Sequence, residues 1–530
     1  MQRRSLFGNR EISGLTIPDV TGRSASGRRG AEADDARAGE VRLFHSSGEA
    51  GEQVRATGGG ASGAKGRGQG NTEGQHTRRT QSRDSVSQGL NRVRNATQQR
   101  KKERFTALLH YVTFDLLRDA FSGLKREAAP GVDGATWQSY KQDLEVNLTR
   151  LHEQVHRGTY RALPSRRRYI PKPDGRQRPL GIAALEDKIV QRAVAQVLNA
   201  IYEEDFLGFS YGFRPGRGQH DALDALTVGI TSTKVNWIMD ADIAPFFDAV
   251  SHEWLIRFIE HRVGDRRILR LIRKWLKAGV MEEGNLVPTG GWHSARAVIS
   301  PLLANIYLHY AFDLWADHWR KHYAKGQVIV VRYADDIVMG FQHERDAKRF
   351  MDEMRQRLEK FALSLHPEKT RLIEFGRFAA KDRESRGLGK PETFSFLGFT
   401  HICSRSRGGA FQLKRQTRRD RMRARLRAIE EELRRRMHEP ILLQGKWLQQ
   451  VVRGYFAYHA VPTNSRCLGA FRHYVVELWR RTLVLRSQRD RTTWNRMARL
   501  AAELLPTPRI LNPWPSVRFA VKHPRWEPGA

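Results

Sequence analysis

Cysteine is nearly absent: Cys403 and Cys467 are the only two in 530 residues, far apart and with no CxxC partner. That excludes a disulfide framework and a cysteine-rich zinc module, and it fits a reducing, cytosolic address. No run of roughly eighteen apolar residues occurs, so no segment reads as a spanning helix. The opening MQRRSLFGNREISGL lacks the apolar core of a secretory signal. Its Arg and Ser content is that of an organellar transit peptide, but the acidic residues between Glu32 and Asp35 argue against one. Negative charge is scarce: 57 acidic residues face 92 Lys and Arg, a formal charge of +35. Such an excess repels itself unless a polyanion neutralises it. Nucleic acid is the polyanion to expect, and a membrane is not.

Residues 1–100 are rich in Gly, Ser, Arg and Gln, and GGGASGAKGRGQGNTEGQ is of low complexity. Too little apolar surface is available there to offset ordering entropy, which predicts a disordered basic N-terminal region. From Lys101 onward, HYVTFDLLRDAFSGLKRE has helical apolar spacing. RRRYIPKPDGRQRPLGI reads as two strands around the turn Pro173-Asp174-Gly175, followed by a helix over about 185–204. WIMDADIAPFF is a strand ending in carboxylates. Ser300-Pro301 opens a helix with Ser as N-cap and Pro at the first position. VIVVRYADDIVMGF is a hairpin of two apolar runs around a polar turn. EFGRFAAKDRESRGLGKPE reads as a loop and FSFLGF as a short buried strand. After about Phe411 the pattern becomes helical and basic, with eleven Lys or Arg between Lys414 and Arg436.

The chemistry starts at Asp335 and Asp336. Two adjacent carboxylates in a tight turn repel unless a cation is shared between them. Asp242 ends another apolar strand, the natural neighbour in a sheet. Asp240 shares its face by strand alternation, and Asp242 stands closer to the strand end. Three converging carboxylates describe a magnesium site, and two Mg2+ ions suit phosphoryl transfer. A lone Asp-Asp in a hairpin is most often only a turn. A DxDIxxFFD segment about 90 residues upstream makes this pair more than that.

In order along the chain, RYIPKPDGRQRPLGIAALEDKIVQ, YGFRPGRGQHDAL, DADIAPFFDAVSH, VISPLLANIYLHY, RYADDIVMGF, LHPEKTRLIEFG and FSFLGF resemble the successive blocks of bacterial group II intron-encoded reverse transcriptase/maturases. The resemblance runs from about Leu108 onward. It implies an α+β right-hand polymerase of fingers, palm and thumb, with an antiparallel palm sheet and a helical thumb/maturase domain. The expected divisions are 1–100 disordered, 101–160 an N-terminal extension block, 161–400 fingers and palm, 401–505 thumb/maturase, and 506–530 a basic tail. The implied activities are RNA-templated DNA synthesis and assistance to splicing of the parent intron.

The resemblance also implies roles for individual residues. Asp242, Asp335 and Asp336 match the metal-binding aspartates. Lys172 and Arg178 match the grip on the incoming dNTP, where Arg pairs bidentately with phosphate. Phe247 matches the aromatic beneath the sugar that rejects a 2′-hydroxyl, with Ile243 beside it in the dNTP site. Lys369 matches the lysine that protonates pyrophosphate. Tyr333, Gly290, Gly291 and the primer-grip segment Phe396-Leu397-Gly398 match template and primer contacts. Arg418, Arg421, Arg425 and Arg453 belong to the RNA-binding thumb, whose aromatics pack its core more often than they stack on bases. The implied partners are intron RNA, an RNA template and a DNA primer or target; a homodimer is compatible with them. No HNH-like Cys/His cluster follows the thumb, as in members without an endonuclease. The implied location is the bacterial cytoplasm.

The pattern breaks once. VPTGGWHSARAVISPLLAN carries Thr289 where the family has Gln, and six extra residues, Trp292 to Ala297. A displaced helix start here is the alternative to an active polymerase: an RNA-binding maturase with impaired synthesis. A free-standing reverse transcriptase recruited by the host is the third reading.

Overall fold

The computed structural model describes residues 72–101, 103–171, 177–244, 246–282, 285–287, 297–486 and 492–523. Eleven strands are assigned among them: β1 Ser165–Pro171, β2 Gln177–Ile182, β3 Trp237–Asp242, β4 Val280–Glu282, β5 Asn285–Val287, β6 Val328–Tyr333, β7 Asp336–Phe341, β8 Arg371–Glu374, β9 Phe394–Phe396, β10 Phe399–Arg405 and β11 Phe411–Thr417. They form three sheets, ordered β2-β1-β4-β5, β6-β7-β3-β8 and β11-β10-β9. Every pairing is antiparallel except β1 with β4.

The central sheet is covered on both faces, which is why its strands read as nearly continuous apolar runs. Alternation assigns the two faces. Met239, Ala241, Ile337 and Met339 face a core shared with the helices Leu185–Asp205, Ser300–Leu308 and Glu344–Glu359. Ile238 and Val338 face the opposite way, onto Leu223, Leu226 and Ile230 of the helix Gln219–Ser232. Slipping either strand by one residue would exchange these faces, so burial fixes the register that places the carboxylates.

A separate apolar core forms in the helices Arg419–Arg435, Ile441–His459, Ser465–Leu485 and Trp494–Leu504, around Leu433, Leu448, Phe471 and Trp479. Tyr455 and Phe456 are buried in it, while Trp447 and Tyr474 pack at its edge. The helix Pro515–Lys522 then returns to the helix Gln219–Ser232, through Arg518 Nε to Asp224 at 3.2 Å and Lys522 Nζ to Asp221 at 2.8 Å.

Several expectations change. Residues 1–71 lie outside the described residues, but Thr72–Gln99 is a helix rather than disordered. Its signal is a narrow stripe: Val86, Leu90 and Val93 pack on the main core, with Thr97 buried one turn on. FSFLGF is two strands joined by a turn, because Leu397 and Gly398 both take positive φ, +45° and +81°. That is the two-residue hairpin geometry whose twist matches the flanking strands. Phe411–Thr417 is a strand before the basic helix begins. Ala379–Ser385, read as loop, is a short helix. The helix at Ser300 starts one residue earlier than expected, with Ile299 as N-cap.

Candidate active site

The carboxylates meet because of strand register. On β3 and β7, Asp242 stands directly opposite Asp336, and Asp240 opposite Val338. On the β6–β7 hairpin Tyr333 closes against Asp336, leaving Ala334 and Asp335 as the turn. Ala334 has φ +57°. Asp335 thus projects from a two-residue loop directly beside the Asp242–Asp336 pair.

The electrostatics record the crowding. Desolvation, then the charges of Asp335, Asp242 and Asp240, push the Asp336 carboxyl up to about 7, although its surface still reaches solvent; Arg421 counteracts. Desolvation likewise pushes Asp240 up to about 6, against the pull of Arg371, 3.8 Å away. Lys369 supplies an internal cation, its Nζ 2.6 Å from Asp242 Oδ2. It is delivered by a backbone splice: Ala244 N–H donates to Ser364 O at 2.9 Å and His366 N–H to Asp242 O at 2.8 Å.

These residues fit divalent magnesium by donor type, since all three offer hard carboxylate oxygens at adjoining positions of one sheet. Among the described residues no group of three ligands closes into a cage. Magnesium rarely needs one, as it takes one or two carboxylates and completes its shell from water and substrate phosphates.

Of the other expected site residues, Ile243 is buried and bridged to Leu365. Phe247 lies in the short helix Phe246–Ala249, and Arg178 on β2 opposite Ile170. Lys172, Gly290 and Gly291 lie outside the described residues, as do Thr289 and Trp292 to Arg296. The segment after the insertion is ordered in place: Val298 N–H donates to Gln191 Oε1 at 3.0 Å, and Ser300 N–H to Ala297 O at 3.0 Å. Phe396 is buried, and the Leu397-Gly398 turn is pinned by Tyr458, whose hydroxyl donates to Leu397 O at 2.7 Å. Arg418 N–H donates to Gly398 O at 3.1 Å, so the basic helix begins where that turn ends. The Arg418 and Arg421 charges lower the Asp240 and Asp336 carboxyls slightly, so the start of the helix lies within electrostatic reach of them. Arg425 lies one turn further on, half-buried, and Arg453 is exposed on Ile441–His459.

Sequence reasoning missed the support behind the turn. Gly212 presses on it so closely that a Cβ would lie 2.2 Å from Ala334 N. Asn305 Nδ2 donates to Gly212 O at 2.7 Å. Arg332, fully buried, binds Asp313. A charged residue inside the apolar run VIVVRY was the available signal, because a buried guanidinium demands a built partner.

Among the described residues no helix is long and apolar enough to cross a membrane. Residues 170–401 match the family described as reverse transcriptase (RNA-dependent DNA polymerase). Protein YkfC of Escherichia coli K12 is 34% identical over 324 residues, 54% of this chain and 78% of that protein. The group II intron-encoded protein LtrA of Lactococcus lactis is 34% identical over 222 residues, 42% of this chain and 37% of LtrA. An uncharacterized 91 kDa protein in the cob intron of Schizosaccharomyces pombe is 40% identical over 146 residues, 28% of this chain and 18% of its own length. The block order, the opposed aspartates and these likenesses agree: this chain belongs to the group II intron-encoded reverse transcriptases and maturases, a family of RNA-directed DNA polymerases.

Proposed function

We propose that this protein binds its intron RNA, assists its splicing, and copies it into DNA during retrohoming in the bacterial cytoplasm. The observation that carries this reading is the register that sets Asp242 opposite Asp336 beside Asp335. Residues 161–400 serve as fingers and palm, and 401–505 as the thumb/maturase domain, with β10 and β11 joining the two.

Asp242, Asp335 and Asp336 would hold two Mg2+ ions, which when bound acidify the primer 3′-hydroxyl and offset charge on the departing pyrophosphate. The chain's own groups do the rest. Lys172, together with Arg178 on β2, binds the dNTP triphosphate. Phe247 and Ile243 form the floor under its sugar and exclude a 2′-hydroxyl. Lys369 donates a proton to pyrophosphate, and its contact with Asp242 keeps it at the reacting end. Tyr333, Gly290 and Gly291 sit against template and nascent pair, while the Phe396-Leu397-Gly398 turn seats the primer. Arg418, Arg421, Arg425 and Arg453 neutralise RNA phosphates.

The anchored Val298 and Ser300 support an active polymerase over a maturase silenced by its insertion, since the helix that carries Asn305 starts within one residue of its expected position. The test is primer extension on an RNA template with Mg2+ and dNTPs. Wild type is expected to extend, and Asp335→Ala/Asp336→Ala to lose at least about a thousandfold. An inactive wild type that recovers when 292–297 are deleted would make RNA binding the principal function.

A further inference from the structure

The β6–β7 turn poses a physical problem. Ala334 occupies the first loop position of a two-residue hairpin at φ +57°, a place that normally takes Gly. A side chain in that region is strained, and strain persists only where the surroundings over-determine it. Yet Asp335, the next residue, has to point reproducibly for the chemistry.

The surroundings that hold it converge on one side chain. Arg332 is wholly excluded from solvent, as is Asp313. All five of its guanidinium N–H donors are used. Nε and one terminal nitrogen bind the two oxygens of Asp313 at 2.7 and 2.6 Å. The same terminal nitrogen binds Ser210 Oγ at 2.7 Å. The other binds Asn305 Oδ1 at 3.1 Å and, two residues along its own chain, the Ala334 carbonyl at 3.0 Å. Its backbone continues the grip, accepting from Tyr211 N and donating to Phe209 O, both at 2.9 Å. Asn305 meanwhile holds Gly212 by its carbonyl, and Gly212 closes the turn from the other side. Residues 209–212, Asn305 and Asp313 are therefore all locked to one strained peptide by one cation.

We propose that Arg332 is a positioning residue for nucleotidyl transfer: with Asp313 and Asn305 it braces the left-handed Ala334 turn and thereby sets the orientation of Asp335. The inference rests on the polymerase reading above. Lys could not substitute, because a single ammonium point charge cannot span a carboxylate, an amide, a hydroxyl and a carbonyl together.

The proposal makes an uncommon demand: removing the need for the brace restores function without restoring the brace. Glycine takes positive φ without strain. Arg332→Gln is expected to lower the extension kcat about a hundredfold, as for a misplacement of about 1 Å. Primer–template affinity stays unchanged, and Mn2+ binding by the free protein, read by calorimetry, weakens about tenfold. Adding Ala334→Gly to Arg332→Gln is expected to recover about tenfold in both readouts with no gain in thermal midpoint. Should Arg332→Gln not fold, Asn305→Ala, which leaves the Arg332–Asp313 pair intact, carries the same pair of comparisons. The proposal is overturned if activity falls only in proportion to the folded fraction, or if Ala334→Gly recovers neither rate nor Mn2+ affinity. An inactive wild type whose Mn2+ affinity still follows this pattern would sink the polymerase reading and leave the brace standing.

Discussion

Two charge clusters sit within the same sheet and helix framework and are built on opposite rules. At the ends of β3 and β7, Asp240, Asp242, Asp335 and Asp336 carry like charges, and two of them are pushed up to about 6 and 7. Elsewhere, Asp224 lies buried between Arg415 at 3.0 Å and Arg518 at 3.2 Å. The first cluster gathers four carboxylates with Lys369 and Arg371 at its edge, and the second sets two guanidinium groups on one carboxylate. A surplus of one sign sits where a ligand can balance it, whereas Asp224 is buried with counter-ions that the fold itself supplies.

This contrast can be broken from either side. Removing the buried partner with Asp224→Ala leaves Arg415 buried and uncompensated, and is expected to cost about 3–5 kcal/mol in chemical denaturation. Gly212→Ala strikes the site itself. Its Cβ would meet the Ala334 nitrogen at 2.2 Å, so extension drops about a hundredfold, more than the accompanying fall in thermal midpoint accounts for.

A third test asks whether the carboxylate crowding taxes the fold. The Asp336 carboxyl is raised when folded, so its contribution to stability is full below its unfolded pKa and is lost as pH rises through about 7. In chelator, Asp336→Asn should flatten that decline between roughly pH 4 and 7 and exceed wild type in thermal midpoint at pH 8, while extending no primer. A wild-type midpoint independent of pH there would refute the crowding. The smallest effect belongs to exposed Arg453: Arg453→Ala is expected to reduce the salt dependence of RNA binding by about one phosphate contact.

The sequence made the site more legible than the scaffold around it. The β6–β7 hairpin and the carboxylate strand were readable because burial on both faces produces unmistakable apolar runs. The Asp242–Asp336 opposition was inferable from strand ends alone. Gly212, Asn305 and Arg332 were not, because each acts through a partner about 20 to over 120 residues away, and local pattern carries no record of who meets whom. The helix Thr72–Gln99 was missed because its apolar stripe is one residue wide and sits inside a polar, Gly-bearing composition. β11 was missed because its alternation, Leu413, Arg415 and Thr417 inward, buries an arginine where an apolar residue is expected.

The return of the helix Pro515–Lys522 to the helix Gln219–Ser232 has a consequence for synthesis. Lys522 and Asp221 are 301 positions apart, so the ribosome delivers the whole catalytic sheet long before this brace exists. Until Arg518 emerges, Asp224 has only Arg415 to face, and the nascent polymerase waits with one electrostatic bolt undrawn. A chain cut short after the carboxylates but before residue 518 would carry Asp242, Asp335 and Asp336 without the second guanidinium on Asp224.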